Sequence, residues 1–284
     1  MISSLAGATV VTPDLDRAIA AYRDVLDYVG SPPVRVDSQQ ASAWGVPQAA
    51  GARMVMLRPA SGEARFLRLV EGRACPGFVP LTTFGWTAIE IVVQDLRALA
   101  ARLADSPFRI IGPPATLDFD FTDALSAMQV AGPGGEVLYF TQIDGEIPGF
   151  DLPRANSPVG QMFIMVLAAA DIALAGAFYA ALGRAAGPTI QARIDIVTDA
   201  HGLAPGHRHS LATIALEDRS LIEIDAFPPA TRRRPMSDIG LPSGIAMVSM
   251  YGEARGASSV DCDDGIMMLG AAGEWVEVLG RSPR

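Results

Sequence analysis

The sequence predicts an α+β fold made of tandem βαβββ modules arranged in two domains. Three observations carry that prediction. An apolar strand followed by an aspartate-opened helix recurs at Asp14, Asp95 and Asp171. Runs of alternating apolar residues joined by tight turns follow these helices, as hairpins do. The first unit also returns at a constant offset: Asp14 and Asp171 stand 157 residues apart, and so do Tyr22 and Tyr179, Ala43-Trp44-Gly45 and Ala200-His201-Gly202, and Met54 and Leu211. Self-similarity at a fixed spacing is the mark of duplicated structural units.

Taken in order, residues 6–12 read as a strand and residues 14–28 as a helix. Asp14 is suited to cap its N-terminus, Ala18, Tyr22 and Val25-Leu26 form its apolar stripe, and Gly30 with Pro32-Pro33 stops it. Strands near 52–59 and 64–71 pair through the turn Ala60-Ser61-Gly62-Glu63. A second unit follows, with a strand at 86–94, a helix opening at Asp95, and a hairpin at 126–142 turning on Gly132-Pro133-Gly134-Gly135. The third unit repeats the first and contains the strand–turn–strand from Leu211 to Phe227. The fourth is abbreviated to a strand at 244–250 and a hairpin near 265–279 turning on Gly270-Ala271-Ala272-Gly273. The expected organisation is an N-terminal domain of two modules (1–143), a Pro- and Gly-rich linker (144–158) and a C-terminal domain (159–284).

Composition excludes several classes of chemistry. The chain has 284 residues, 50% hydrophobic and 19% charged, which suits a folded chain with a sizeable core. All 22 basic residues are arginines, so Schiff-base chemistry on a lysine is ruled out. The net charge of −9 argues against a nucleic-acid partner. The one basic run, Arg232-Arg233-Arg234, reads as a solvated linker between Pro229 and Pro235. Cys75 and Cys262 form no metal pattern and read as reduced thiols of a cytoplasmic protein. No signal-like N-terminus is evident, and no apolar run approaches the ~20 residues of a membrane span. No phosphate-binding glycine loop or nucleophile elbow is present.

The segment Pro13-Asp14-Leu15-Asp16-Arg17-Ala18 with Tyr22 and Leu26 resembles the vicinal oxygen chelate superfamily, which includes glyoxalase I, extradiol dioxygenases and bleomycin-resistance proteins. Phe178-Tyr179 with Leu182-Gly183, Gly135-Glu136-Val137-Leu138-Tyr139-Phe140 and Gly273-Glu274-Trp275-Val276-Glu277-Val278 extend the resemblance over nearly the whole chain. It implies that paired modules close into half-barrel cups, and it leaves a homodimer open. It also implies a metal held by His or Gln on each module's first strand and Glu on its last. Counting seven residues back from each helix-opening aspartate gives Gly7, Ala88 and Ile164, with Met247 in the fourth module, and none is a metal ligand. The last-strand positions are Arg68, Tyr139, Glu223 and Glu277, and a strict offset pairs Arg68 with Asp225 instead of Glu223. Cofactors are therefore not expected. A divalent metal held atypically by Glu277, Glu223, His207 and His209 is the alternative, since His207 and His209 fall on one strand face.

Residues two apart share a strand face. The first two modules are thus expected to gather Thr9, Val11, Phe66, Arg68, Trp86, Glu90, Val137, Tyr139 and Thr141 in one cup. In that reading Arg68, Trp86 and Thr9 bind a small oxygenated or aromatic ligand, Glu90 is a base and Tyr139 a proton donor. An Arg68–Glu90 ion pair replacing a lost metal is the inert counterpart. The second cup is expected to be apolar with two or three acids. The stretch Asp118-Phe119-Asp120-Phe121-Thr122-Asp123 is expected at a cup mouth. The functional alternatives are acid–base catalysis of lyase or isomerase type, sequestration of a small molecule, and a metal-dependent dioxygenase or lyase with atypical ligands.

Overall fold

The computed structural model describes residues 1–253 and 265–280. The first module comprises β1 (Ile2–Thr12), α1 (Leu15–Leu26), β2 (Tyr28–Gly30), β3 (Val34–Arg35), α2 (Ser38–Ala43), β4 (Arg53–Pro59) and β5 (Phe66–Glu71). The second has β6 (Gly85–Val93), α3 (Leu96–Leu103), β7 (Arg109–Thr116), β8 (Leu125–Ala131) and β9 (Val137–Ile143). The third has β10 (Val159–Ala169), α4 (Ile172–Ala181), β11 (Ile190–Arg193), α5 (Asp195–Ala200), β12 (Arg208–Ala215) and β13 (Leu221–Ala226). The fourth has β14 (Ile245–Gly252), β15 (Ile266–Leu269) and β16 (Trp275–Leu279). Cys262 and most of the segment between β14 and β15 lie outside the described residues.

Each long helix starts as the aspartates predict. Asp14 accepts from the Arg17 amide at 2.9 Å, Asp95 from the Ala98 amide at 2.9 Å, and Asp171 from the Ala173 and Leu174 amides at 2.8 and 3.0 Å. Each satisfies amides that the first helical turn leaves without intrahelical partners.

The pairing of modules differs from the expectation. One sheet runs β15-β16-β14-β1-β5-β4-β2, with β3 also on β4, so it joins the first and fourth modules. The other runs β11-β12-β13-β10-β6-β9-β8-β7 and joins the second and third. Residues 1–143 thus give one module to each sheet, and residues 159–284 do the same. The cup expected from modules one and two, with Arg68 facing Glu90, does not form. The four opening strands are apolar on both faces, so their pattern does not say which of them pair.

The largest buried cluster unites helix residues such as Tyr22, Leu99 and Tyr179 with one face of each sheet, including Val10, Ile89, Met165, Leu167 and Val248. Two smaller clusters fill the concave faces, one in each cup. Two tyrosine clamps tie helices to distant hairpins. Tyr22 Oη donates to Glu136 Oε1 at 2.7 Å, and Tyr179 Oη donates to Glu274 Oε1 at 3.2 Å. The hairpin glycines make room for these carboxylates: a Cβ on Gly132 or Gly270 would stand 2.0 Å from the Oε1 of Glu136 or Glu274. Burial pushes Glu136 up to about 7, against the hydrogen bonds from Tyr22 and the Gly134 amide. Tyr22→Phe is expected to cost about 1–3 kcal/mol, because it strips a donor from a buried acid. Urea titrations of the two proteins measure this directly.

The arginine run is not wholly solvated. Arg234 reaches inward, donating to Thr83 Oγ1 at 3.1 Å, to the Ile245 carbonyl at 3.0 Å and to the Trp86 carbonyl. It therefore links the starts of β6 and β14, one in each sheet. Among the described residues no helix is long and apolar enough to cross a membrane.

Candidate functional site

The two cups are built on the same pattern. In the second sheet Glu90 lies beside Tyr139 and Ile164, and Val166 lies beside Glu223 and Ala88. In the first sheet Ser249 lies beside Glu277 and Gly7, and Thr9 beside Arg68 and Met247. Arg68 is therefore the counterpart of Glu223, and the strict offset to Asp225 is off by two. The cause is a shorter hairpin: Met56 faces Arg68, whereas Thr213 faces Glu223 only ten residues on.

The first cup is closed by its own side chains. The Arg68 guanidinium donates to Thr9 Oγ1 at 2.8 Å and to Glu277 Oε2 at 2.7 Å, and lies 4.7 Å above the Trp44 ring. Trp44 Nε1 donates to Glu277 Oε1 at 2.8 Å, and Ser249 also donates to this carboxylate. Both partners of the ion pair are about 5% exposed. Burial pushes Glu277 up, but the charge of Arg68 and the hydrogen bonds from Ser249, Arg68 and Trp44 outweigh it and hold the carboxyl below its ordinary value. Trp44, Met54, Val46, Leu241 and Met247 pack the remaining space.

The second cup is open, with a cavity of about 420 Å³. Its floor carries Glu90, Tyr139, Thr141 and Glu223, with Gln129 and Thr213 on the flanking strands. Thr141 Oγ1 donates to Glu90 Oε1 at 2.5 Å. Asp225 lies two residues beyond Glu223 on β13 and is 1% exposed. The mouth is aromatic: Phe119 stacks on Phe121 with centroids 5.1 Å apart, and Phe121 on Phe150 at 6.4 Å. The Asp118–Asp123 stretch thus sits at a cup mouth, as its alternation suggests.

The floor acids hold their protons unusually well. Burial, then the nearby Glu223, push Glu90 up to about 8, against the hydrogen bond from Thr141. Glu223 and Asp225 are both raised, chiefly by burial, and stand close enough to share a proton. Neither Asp225 oxygen nor the Tyr139 hydroxyl has a hydrogen-bond partner. Burial, then Asp225, Glu223 and Glu90, raise Tyr139 far above the ordinary phenol, so it stays protonated.

The predicted residues therefore divide. Glu90, Tyr139 and Glu223 meet in the second cup. Thr9, Arg68 and Glu277 meet in the first, where Arg68 binds a protein carboxylate and faces no ligand cavity. Trp86 enters neither cup: a bulge pairs Val166 with Ala88 but Leu167 with Trp86, which flips the alternation. Trp86 is buried between the sheets and donates to the Trp275 carbonyl at 2.8 Å. His209 is 3% exposed, 3.0 Å from Thr198 Oγ1, with the His207 ring 4.8 Å away. Glu277 and Glu223 stand in different cups, so the four-residue metal set with His207 and His209 does not assemble. The reading missed Gln129, Thr213 and the Ile190–Asp195 wall. Gln129 and Thr213 lie on β8 and β12, both read as hairpin strands but not followed residue by residue, and the wall begins on the short strand β11.

The metal positions of the resembled superfamily carry Gly7, Arg68, Met247 and Glu277 in one cup and Ala88, Tyr139, Ile164 and Glu223 in the other. Neither set fits a metal ion, since one contains a paired guanidinium and the other a single carboxylate with no imidazole. Among the described residues, no three His, Cys, Asp or Glu converge as metal ligands.

Four modules, two curled sheets and this register define the vicinal oxygen chelate fold. Glyoxalase I from Zea mays is similar over 98% of this chain and 92% of its own, with a TM-score of 0.61 and 14% identity. A candidate dioxygenase from Bacillus subtilis subsp. subtilis str. 168 is similar over 99% of this chain and 86% of its own, with a TM-score of 0.64 and 10% identity. At such identities the likeness is one of fold. No family model and no curated protein matches the chain.

Proposed function

We propose that the second cup binds a small, largely apolar or aromatic metabolite and performs metal-independent acid–base chemistry on it, of isomerase or lyase type. The observation that carries this reading is the Glu90–Tyr139–Glu223 floor at the base of an open cavity, with the buried Asp225 two residues from Glu223 on the same strand. Titrating near 8, Glu90 is poised to take a proton from carbon close to neutral pH. The unpartnered Tyr139 hydroxyl can donate to an oxygen that gains negative charge as that proton leaves. The proton shared by Glu223 and Asp225 can be delivered to a second atom, so an isomerisation closes without a redox partner. The apolar and aromatic mouth keeps water from the floor.

The reading is tested with EDTA-treated protein and a panel of aromatic carbonyl compounds, screened by thermal shift. Compounds that bind are then followed by NMR for deuterium uptake at carbon in D2O. Exchange is expected in the native protein and should fall at least about 100-fold in Glu90→Gln, with binding retained. Binding without any exchange would point to sequestration in the same cup. Exchange that required added metal would overturn the metal-independent reading.

A further inference from the structure

We propose that the ligand of the second cup is cationic: an organic ammonium or amidinium group, carried on an apolar or aromatic body, seats between Glu90 and Glu223 beside Tyr139. This rests on the second cup being the ligand site.

Four independent features support it. The first is charge. The cavity wall bears Glu90, Asp118, Asp195, Asp199 and Glu223, while Arg193 is its one basic residue. Arg193 is at the rim, half exposed, and bonded to Asp195 at 3.0 Å. Among the described residues no cation lines the floor, so a carboxylate or phosphate ligand would meet acids with nothing to neutralise it.

The second is spacing. Glu90 and Glu223 both line the floor, yet among the described residues no three acids converge as ligands of a metal ion. A group with several N–H donors spread around its centre can reach acids that a small ion cannot bridge.

The third is unmet hydrogen bonding. Tyr139 lines the cavity at 8% exposure, and its hydroxyl has no partner. Buried polar atoms normally find partners. An N–H donor supplies one to each acid, and the phenol oxygen can accept from it.

The fourth lies in the first cup, where this fold already holds such a group. There the Arg68 guanidinium sits against Glu277 and over Trp44, in the position whose counterpart is Glu223. One cup contains its organic cation covalently. The other has acids on the same rows, an aromatic mouth at Phe119, Phe121 and Phe150, and room for a cation from outside.

The test uses three probes of one size: 2-phenylethylamine, 2-phenylethanol and phenylacetate, titrated calorimetrically into the full chain at pH 7. The amine is expected to bind at least tenfold more tightly than the alcohol, with phenylacetate weakest. Its heat should vary with the buffer's ionisation enthalpy, because the floor acids release protons as the cation enters. Glu223→Gln should weaken the amine at least tenfold and leave the alcohol unchanged, which also shows that the variant is folded. An alcohol or phenylacetate that matches the amine overturns the cationic ligand and leaves the cup as a binding site. Failure of all three probes, or binding unaffected by filling the cavity with Ala127→Trp, overturns both.

Discussion

Arg68→Ala is expected to destabilise the protein by about 3–5 kcal/mol, the cost of leaving one member of a buried ion pair without its partner. The side chain makes bonds to Thr9 and Glu277 at under 3 Å, and it closes the space beneath Trp44. Its loss leaves Glu277, 3% exposed, with neutral donors alone. The double change Arg68→Met with Glu277→Leu should recover most of the loss, since apolar packing of similar volume replaces such pairs at little cost. Guanidinium unfolding of the three proteins measures both effects. Ligand binding in the second cup should survive the double change. If Arg68→Ala unfolds normally but loses ligand binding, the first cup is the functional one and its ion pair is an anchor in waiting.

Stability should fall as pH rises from about 5 to about 8, and Glu90→Gln should remove a large part of that fall. Glu90 titrates near 4.5 in an ordinary setting and near 8 in the folded chain. Below both values each state holds the proton and the group is silent. Between them the unfolded chain releases a proton that the folded chain keeps, so the stability present at low pH is lost at up to about 1.4 kcal/mol per pH unit. Above about 8 the loss is complete for Glu90, and Glu136 adds a loss of the same sign up to about 7. Glu90→Gln keeps an oxygen to accept from Thr141 but cannot ionise. Thermal unfolding across this pH range should therefore give a flatter profile for the variant. Equal slopes would mean that Glu90 titrates at its ordinary value in the folded protein, which would leave it without the raised basicity that the proposed proton abstraction uses.

Much of the architecture was legible because it rests on local chemistry. Asp14, Asp95 and Asp171 cap helices wherever they stand before an apolar stripe, and the hairpin glycines mark turns by their freedom at positive φ: Gly135 and Gly273 have φ of 80° and 79°. The members of the candidate site were legible too, because strand alternation identified Glu90, Tyr139 and Glu223 as inward-facing. Their grouping was not. Trp86 left the cup through a bulge that no periodicity announces, and Arg68 was parted from Glu90 by the choice of partner module. His207 and His209 share a strand face as chelating ligands would, yet His209 is buried against Thr198.

The sequence by itself determined the repeating unit, the helix starts, the absence of imidazoles from the metal positions and the acids that would face inward. These follow from single residues and their spacing along one chain. Only the tertiary structure decided that the first module closes on the fourth and the second on the third, because four apolar strands of one kind can pair in more than one way. That choice set Arg68 against Glu277 in a sealed cup, and it left Glu90 and Glu223 together, with no cation among the described residues, on the floor of an open one.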